Sequence, residues 1–293
     1  MSENAVVYCT NHKYIDQTAT SVCSIIDNYG KHKELSILIM ANDLNDDDIF
    51  ALRELPNWLN KRNVEVSVWN PPEMIKKVNN YYNADFPVLT IWCLFVPFYF
   101  NSFEKILYLD SDTLVYTDVD SIIEKVTNEK AVFAVRDFYI SMISGTEAER
   151  SYDEISTFKN YCNSGVIGYN VKKYNSIIDL DALIDVCNKN HYRYPDQTIL
   201  NNMCQESIGF LGFEYNYQKN DAWLFDWALK QTKNGDIAKE IEKSRNKIQV
   251  RHFVPYEINS KPWQHFGMWD RWDVDYYWYY LKLKNLQMQN FKN

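Results

Sequence analysis

The sequence predicts an α/β fold in which one domain, over residues 1–263, is built on a sheet of parallel strands with crossover helices, and an aromatic helical tail follows over residues 264–293. Short apolar segments alternate with helical patterns or charged turns along the first two thirds of the chain. The 293 residues suffice for a full core, and a composition of 46% hydrophobic and 24% charged residues is that of a folded domain. No internal repeat or flexible linker divides the chain.

The N-terminal region alternates strands and helices. Residues 5–9 and 35–40 are apolar runs, which predict two buried strands. Between them, Val22, Ile25, Ile26 and Tyr29 have helical spacing and Gly30 follows as a stop signal, which predicts an amphipathic helix.

A second helix and a third strand follow. The carboxylates at 46–48 favour a helix start, because negative charge is stabilised at the positive end of the helix dipole. Residues 64–68 alternate valine with polar residues, which is typical of a strand, and Pro71-Pro72 ends this segment.

The middle of the chain contains the most apolar segment. Residues 86–100 are apolar nearly all round and predict a buried helix kinked at Pro97. Residues 105–109 then form a compact apolar strand without polar alternation, followed at once by Asp110-Ser111-Asp112. Later apolar runs predict four further strands, at 131–135, 165–169, 207–213 and 248–252.

Charge and cysteine content limit the function classes. There are 31 basic and 39 acidic side chains, a net charge of −8, which disfavours a broad nucleic-acid surface and favours small ligands or neutral polymers. The six cysteines are scattered without a C-x-x-C pair, which indicates buried free thiols.

The sequence predicts a cytoplasmic protein with at most peripheral membrane association. The N-terminus has no basic leader, and the longest apolar run is shorter than the roughly 20 residues of a spanning helix. The tail is rich in tryptophan and tyrosine, whose rings stack on sugars or lie at bilayer interfaces but most often pack against the body of a protein.

Asp110 and Asp112 stand where a buried strand ends, which is where open α/β sheets bind ligands. Two carboxylates one residue apart can face one hard divalent cation, with phosphate oxygens completing its shell. The simpler alternative is a charged surface turn. A phosphatase of the haloacid-dehalogenase type also begins with an apolar strand and two aspartates, of which the first is a nucleophile. It fits less well, because Thr113 follows Asp112 directly and the motif is far from the N-terminus.

The other signals are polar groups that recur in a fixed order along the chain. They are Thr10-Asn11 with Tyr14, the run 105–115 (KILYLDSDTLV), Asn163-Ser164-Gly165-Val166 with Asn170, Asp196-Gln197 with Leu200-Asn201, Tyr215-Asn216, and His252-Phe253 ahead of Lys261-Pro262-Trp263. With these residues the chain resembles the family 8 glycosyltransferases, which include glycogenin and the bacterial lipopolysaccharide galactosyl- and glucosyltransferases. The resemblance extends from residue 6 to about residue 263.

The resemblance implies a GT-A fold, which is a single Rossmann-like nucleotide-sugar-binding domain with a mixed central sheet. It also implies a UDP-glucose or UDP-galactose donor, Mn²⁺ or Mg²⁺, a glycan or glycoconjugate acceptor, and transfer with retention at the anomeric carbon. Oligomeric state stays open.

Site residues are carried over from the family position by position. The metal ligands are Asp110, Asp112 and His252; the nucleotide contacts add Thr10, Asn11, Tyr14, Ser111 and Lys261, of which Lys261 serves the diphosphate; and the groups facing the donor sugar are Asp137, Asn163 and Gln197, with Asp196 beside them.

The chemistry of sugar transfer requires such groups on its own terms. Negative charge builds on the leaving diphosphate, and a divalent ion with a lysine stabilises that charge. Sugar hydroxyls need fixed donors and acceptors, which Asp, Asn and Gln provide. Gln197 is an amide and a poor nucleophile, so we favour front-face substitution, in which the leaving phosphate helps to deprotonate the acceptor.

Each of these motifs has a purely structural alternative. His252 is also interpretable as a satisfied strand-end histidine, 163–165 as a turn before a strand, and Asp196 as a helix start after Pro195.

The chain also departs from the family pattern. Cys93 stands where the family carries an arginine before the aspartate strand, and a thiol cannot neutralise a phosphate. The segment between His252 and Lys261 is longer than usual, with Pro255 in place of a glycine. The second hypothesis is therefore a catalytically silent nucleotide-sugar-binding protein, or a self-glycosylating one given 22 tyrosines.

Overall fold

A mixed seven-stranded sheet forms the centre of the protein in the computed structural model, which describes residues 3–30, 33–83, 85–189 and 191–290. Its strand order is β3-β2-β1-β4-β7-β6-β8, and β5 pairs with β9 in a separate two-stranded sheet. The strands are β1 Asn4–Cys9, β2 Leu35–Met40, β3 Val64–Trp69, β4 Lys105–Leu109, β5 Thr113–Val115, β6 Val132–Arg136, β7 Cys162–Asn170, β8 Ile208–Phe210 and β9 Val250–His252.

Helices cover both faces of this sheet. In the described part of the chain the α-helices are α1 Ile15–Asn28, α2 Asp46–Trp58, α3 Val96–Tyr99, α4 Asp120–Ile123, α5 Phe138–Ile143, α6 Val171–Ile177, α7 Leu180–Lys189, α8 Pro195–Cys204, α9 Gly235–Ser244 and α10 Arg271–Asn290. The predicted starts of α2 and α8 are confirmed. Asn45 caps α2 in a reciprocal box with Asp48, and α8 begins at Pro195.

The sheet is parallel only in part. Strands β3, β2, β1 and β4 run parallel, as the alternation of strands and helices predicts, whereas β7 runs antiparallel to both β4 and β6. The strand and helix alternation thus predicts the parallel part of the sheet but not the direction of β7, and the mixed sheet implied by the family resemblance is confirmed.

Alternation along β1 shows that both faces of the sheet are buried. Ala5 and Val7 belong to the apolar cluster on one face, together with the 91–96 segment, whereas Val6 and Tyr8 belong to the cluster under α1 on the other face. All four side chains are fully buried. All six cysteines are free and buried, as their spacing predicts.

Three predicted elements differ from the structure. Residues 86–100 do not form one kinked helix: a 3₁₀ helix, Val88–Phe95, leads into α3, where Pro97 lies at the start and needs no backbone donor. The strand predicted at 207–213 is only β8, because a 3₁₀ turn occupies Phe213–Tyr215. The strand predicted at 248–252 begins at residue 250 and pairs with β5, which is too short to leave a periodic pattern.

The C-terminal helix α10 packs on the body of the domain. Trp272, Tyr276 and Tyr279 are buried beside Phe253, while Trp278 is 71% exposed, so the expected packing holds for one face of the helix. Lys282 and Lys284 form ion pairs with two aspartates of α1. The division of the chain at residue 263 stays a prediction. No helix in the described ranges combines the length and the apolar character needed to cross a membrane.

Candidate active site

A cavity of about 970 Å³ opens at one edge of the central sheet. Residues 110–112 follow β4, Asp137 follows β6, and Asn163 lies at the start of β7, which runs in the opposite direction. The ends of these strands therefore bring distant parts of the chain to the same edge. Of the predicted site residues, those that line the cavity are Asn11, Tyr14, Asp110, Ser111, Asp112, Asp137, Asn163, Asp196, Gln197, His252 and Lys261.

Asp110, Asp112 and His252 form a three-residue cluster in this cavity. His252 Nε2 lies 3.5 Å from Asp110 Oδ2 and 3.3 Å from Asp112 Oδ1. The pairing of β5 with β9 sets this geometry, because His252 is opposite Thr113 and the Phe253 backbone N–H donates to Asp112 O at 3.0 Å. One ligand atom from each of the three residues fits within 4.8 Å, which suits a single cation.

A chain of hydrogen bonds fixes the tautomer of His252. The backbone N–H of Gly165 donates to Asn163 Oδ1, so the amide nitrogen of Asn216 donates to that same oxygen at 2.9 Å. Asn216 Oδ1 then faces His252 Nδ1 at 3.1 Å and accepts a hydrogen bond from Nδ1–H. When the ring is neutral, this hydrogen bond leaves the lone pair on Nε2, the nitrogen that faces the carboxylates, and this is the form of histidine that binds metals.

Gly165 leaves the space in which the cluster lies. A Cβ atom at this position would be 2.1 Å from His252 Cε1 and 2.8 Å from Asp110 Oδ2. Only glycine allows the histidine and the aspartate to pack directly on β7. This close approach and the oxygen and nitrogen donors fit a divalent cation.

The two aspartates have different electrostatic surroundings. Burial raises the pKa of Asp110 to about 7, with Asp112 adding to the rise, so its carboxyl has to release a proton to bind a cation. Burial opposes ionisation of Asp112 as well, but Lys261 and His252 hold the pKa of Asp112 well below its usual range. Lys261 Nζ contacts Asp112 Oδ2 and lies over the ring of Trp263.

The residues predicted to face the donor sugar form one hydrogen-bonded group. Asn163 Nδ2 donates to Asp137 Oδ2 at 3.2 Å and to Gln197 Oε1 at 3.0 Å. Gln197 Nε2 lies 3.3 Å from Asp137 Oδ2, and the Ser164 hydroxyl donates to Asp196 Oδ2 at 2.5 Å. All five side chains are buried, so the group is held rigidly at the cavity wall.

The residues predicted to hold uridine take two different places. Asn11 and Tyr14 line the cavity, and Asn11 Oδ1 accepts from the Tyr14 backbone N–H. Thr10 is fully buried and does not line the cavity. Its hydroxyl is hydrogen-bonded to that of Thr18 at 2.7 Å. Ser111 bonds to both threonines, so Thr10 supports the cavity floor from beneath.

Cys93 is fully buried and does not line the cavity. Its Sγ donates to Thr90 O at 3.4 Å, and Tyr169 donates to its carbonyl at 3.1 Å. The position that carries an arginine in the family is therefore part of the core in this chain.

Sequence reasoning missed several groups that the structure places at the cavity. Lys219 lies in the loop after the Tyr215-Asn216 pair, where no pattern marks a loop lysine as functional. A group of aromatic rings lines another part of the wall, with Tyr139 stacked on Trp227 and Tyr152 stacked on Tyr194. These rings come from separate segments, so only the folded chain assembles them.

Comparisons with known proteins agree on one family. The family model described as "Glycosyl transferase family 8" matches residues 5–267. The lipopolysaccharide 1,2-glucosyltransferase of Escherichia coli (strain K12) is 24% identical over 281 residues, which cover 93% of this chain and 75% of that protein.

Solved structures show the same fold. The WbbM bifunctional glycosyltransferase in its apo form matches with a TM-score of 0.78 and 20% identity, over 97% of this chain but 51% of that one. The galactosyltransferase LgtC, solved with donor and acceptor sugar analogs, matches with a TM-score of 0.72 and 16% identity over 95% of both chains. The chain thus spans about half of one structural relative and nearly all of the other.

Proposed function

Because the chain belongs to glycosyltransferase family 8 and has the GT-A fold, we propose that it moves a hexose, glucose or galactose, from a UDP-sugar to a carbohydrate acceptor. In this proposal the reaction depends on Mn²⁺ or Mg²⁺ and retains the anomeric configuration. Residues 1–263 form the catalytic domain, and the aromatic tail stabilises it. One relative named above is a lipopolysaccharide 1,2-glucosyltransferase and another was solved with donor and acceptor sugar analogs, which supports a glycan or glycoconjugate acceptor for this chain.

The observation that carries the proposal is the cluster of Asp110, Asp112 and His252 with Lys261 beside it. A divalent cation bound there would neutralise negative charge on the departing diphosphate. Lys261 supplies a further positive charge close to the same carboxylate. These groups lie in a partly buried cavity, where electrostatic interactions are stronger than in water.

A second part of the cavity wall would hold the donor sugar. Asp137 and Asn163 offer oxygens and an amide for sugar hydroxyls, and Gln197 is hydrogen-bonded to both of them. Gln197 Oε1 accepts from Asn163 and from the Ser164 backbone N–H, which fixes the direction of its amide. Since an amide is a poor nucleophile, front-face substitution fits this arrangement, with the acceptor proton passing to the leaving phosphate.

The aromatic part of the cavity supports a carbohydrate acceptor. Tyr139, Tyr152, Tyr194 and Trp227 present apolar faces with polar edges, and such surfaces suit the apolar faces of sugar rings.

A panel of sugar nucleotides, assayed for nucleotide release with and without chelator, tests the proposal. Release of UDP from UDP-glucose or UDP-galactose that stops with chelator is the expected result. Metal-dependent binding of UDP-sugar without any release, even with added glycans, would favour the silent binding protein. Release of inorganic phosphate from phosphomonoesters would favour the phosphatase alternative.

A further inference from the structure

Lys219 places a buried ammonium group at the wall of the cavity. Lys219 is 6% exposed, and it lines the same cavity as Asp112, Asp137 and Lys261. Its Nζ donates to the carbonyl oxygen of Pro255 at 2.8 Å, with that of Val254 at 3.5 Å. Lys219 is therefore held against the segment that joins His252 to Lys261.

This lysine is poorly compensated for a buried charge. An ammonium has three N–H donors, and the contacts are two neutral carbonyls. In the described ranges no carboxylate lies within 4 Å of its Nζ. Burial lowers the pKa of Lys219 to about 8, Asp137 raises it, and Lys261 lowers it further. Burying a cation with so few partners costs free energy, and such groups are frequent at binding sites.

The charge balance of the cavity indicates which ligand needs this cation. Among the described residues its lining contains seven Asp and Glu side chains but two lysines, Lys219 and Lys261. Lys261 is already engaged by Asp112. Cys93 contributes no charge at all, because it is a buried thiol outside the cavity. An anionic diphosphate therefore finds one uncommitted cation here, and it is Lys219.

We propose that Lys219 binds the distal phosphoryl group of the donor diphosphate, the one that carries the sugar, as a second cation in addition to Lys261. The inference rests on the proposed function and extends it. Lys219 contacts the segment that follows the candidate metal ligand His252, and it lines the same cavity as Asp137, a candidate sugar contact. It therefore lies where the diphosphate, between metal and sugar, would bind. An ammonium there stabilises the negative charge that develops as the sugar leaves.

Lys219→Met tests this assignment, because methionine keeps the length and apolar stem of the side chain and removes the charge. Equilibrium binding of UDP and of UMP is measured for both proteins at pH 7 with the same Mg²⁺ concentration. UDP affinity should fall about tenfold or more, as expected for loss of a charge-assisted hydrogen bond, while UMP affinity changes less than twofold. The control is Lys76→Met, an exposed lysine paired with Glu73, which should leave both affinities unchanged.

The melting temperature separates this role from a structural one. If Lys219 serves a ligand, the methionine variant melts no lower than the wild type although it binds UDP more weakly. Unchanged UDP affinity, or equal losses for UDP and UMP, would overturn the inference. If the wild type itself does not bind UDP, both the proposed function and this inference fail, whereas loss of UDP selectivity in the variant alone leaves the proposed function intact.

Discussion

Asn216 Oδ1 accepts a hydrogen bond from Nδ1–H of His252 at 3.1 Å. This contact orients the ring so that Nε2 faces Asp110 and Asp112. The amide of Asn216 is itself held by Asn163, on the sugar side of the cavity. One asparagine thus connects the candidate metal ligands to the candidate sugar contacts. This connection makes the orientation of the histidine a property of the whole site.

Asn216→Ala should weaken Mn²⁺ binding by about 10- to 100-fold, the range usual for loss of a partner that orients a metal ligand. The affinity is measured by calorimetric or paramagnetic-resonance titration of the folded protein. Asn175→Ala is the control, since Asn175 donates to Pro97 O and does not line the cavity. Equal Mn²⁺ affinities for the Asn216 variant and the wild type would show that the ring needs no such support.

Asp112→Asn should abolish metal-dependent release of UDP, because the amide loses the charge that attracts the cation while keeping the shape of the side chain. Initial rates with Mn²⁺ report the effect. Asp118→Asn serves as the matched change, since Asp118 accepts from the Gly30 backbone outside the cavity. Wild-type rates in the Asp112 variant would remove this residue from the metal site.

Gly165→Ala should damage both stability and metal binding. The new methyl group would meet His252 and Asp110 at distances that real Cβ atoms do not adopt, and overpacking of this kind costs about 1–3 kcal/mol. We expect the melting temperature to fall by several degrees and the Mn²⁺ affinity to fall with it.

Gly235→Ala is the control for that change. Apart from its chain neighbours and the backbone of its own helix, no heavy atom of the described residues lies within 4 Å of a Cβ at position 235, the first residue of α9, so alanine should leave stability equal or slightly higher. A Gly165 variant that behaves like the Gly235 variant would mean that the close packing at the cluster is not required.

The stability difference between Lys219→Met and the wild type should depend on pH. Below pH 8 the lysine is charged in both the folded and the unfolded chain, so the wild type bears the full cost of burial. Between pH 8 and the ordinary lysine value of 10.5, the folded protein has released the proton and the unfolded chain still holds it. Wild-type stability therefore rises with pH relative to the variant, because the unfolded state binds more protons.

Denaturant unfolding of both proteins from pH 7 to pH 10 measures this effect. The advantage of the methionine variant should be largest near pH 7 and should shrink above pH 8. Asp137 and Lys261 are the charged groups that act on Lys219, and the pKa of Lys261, despite its burial, is raised by Asp112. A difference that is constant over the whole range would show that Lys219 keeps an ordinary pKa.

Residues that follow strong apolar strands were predictable from the sequence. The short apolar run 105–109 predicts a buried strand, and the structure has β4 there. Asp110 and Asp112 directly follow this run, so their place at the end of a strand was predictable. The same holds for β1 and β2, whose bounds match the apolar runs to within a residue. Continuous burial leaves a clear pattern, and the site begins where that pattern stops.

Residues brought in by tertiary pairing were not predictable in the same way. His252 reaches the aspartates only because three-residue strands pair across the molecule, and such short strands have no periodicity. Lys219 lies in a loop and Trp227 ends a single π-helical turn, Trp223–Trp227, and the place of both at the cavity depends on packing. The antiparallel direction of β7 likewise depends on how the chain connects the strands, and the local sequence does not predict it.

The pairing of β5 with β9 also has a consequence for how the protein is made. The two carboxylates emerge from the ribosome early, but the nitrogen that completes their cluster comes only with β9, when most of the domain has already been synthesised. A nascent chain can assemble much of the sheet and still lack the means to capture the ion. In the proposed function, the metal site would therefore be completed late in translation, and a product that ends before β9 would lack the third candidate ligand.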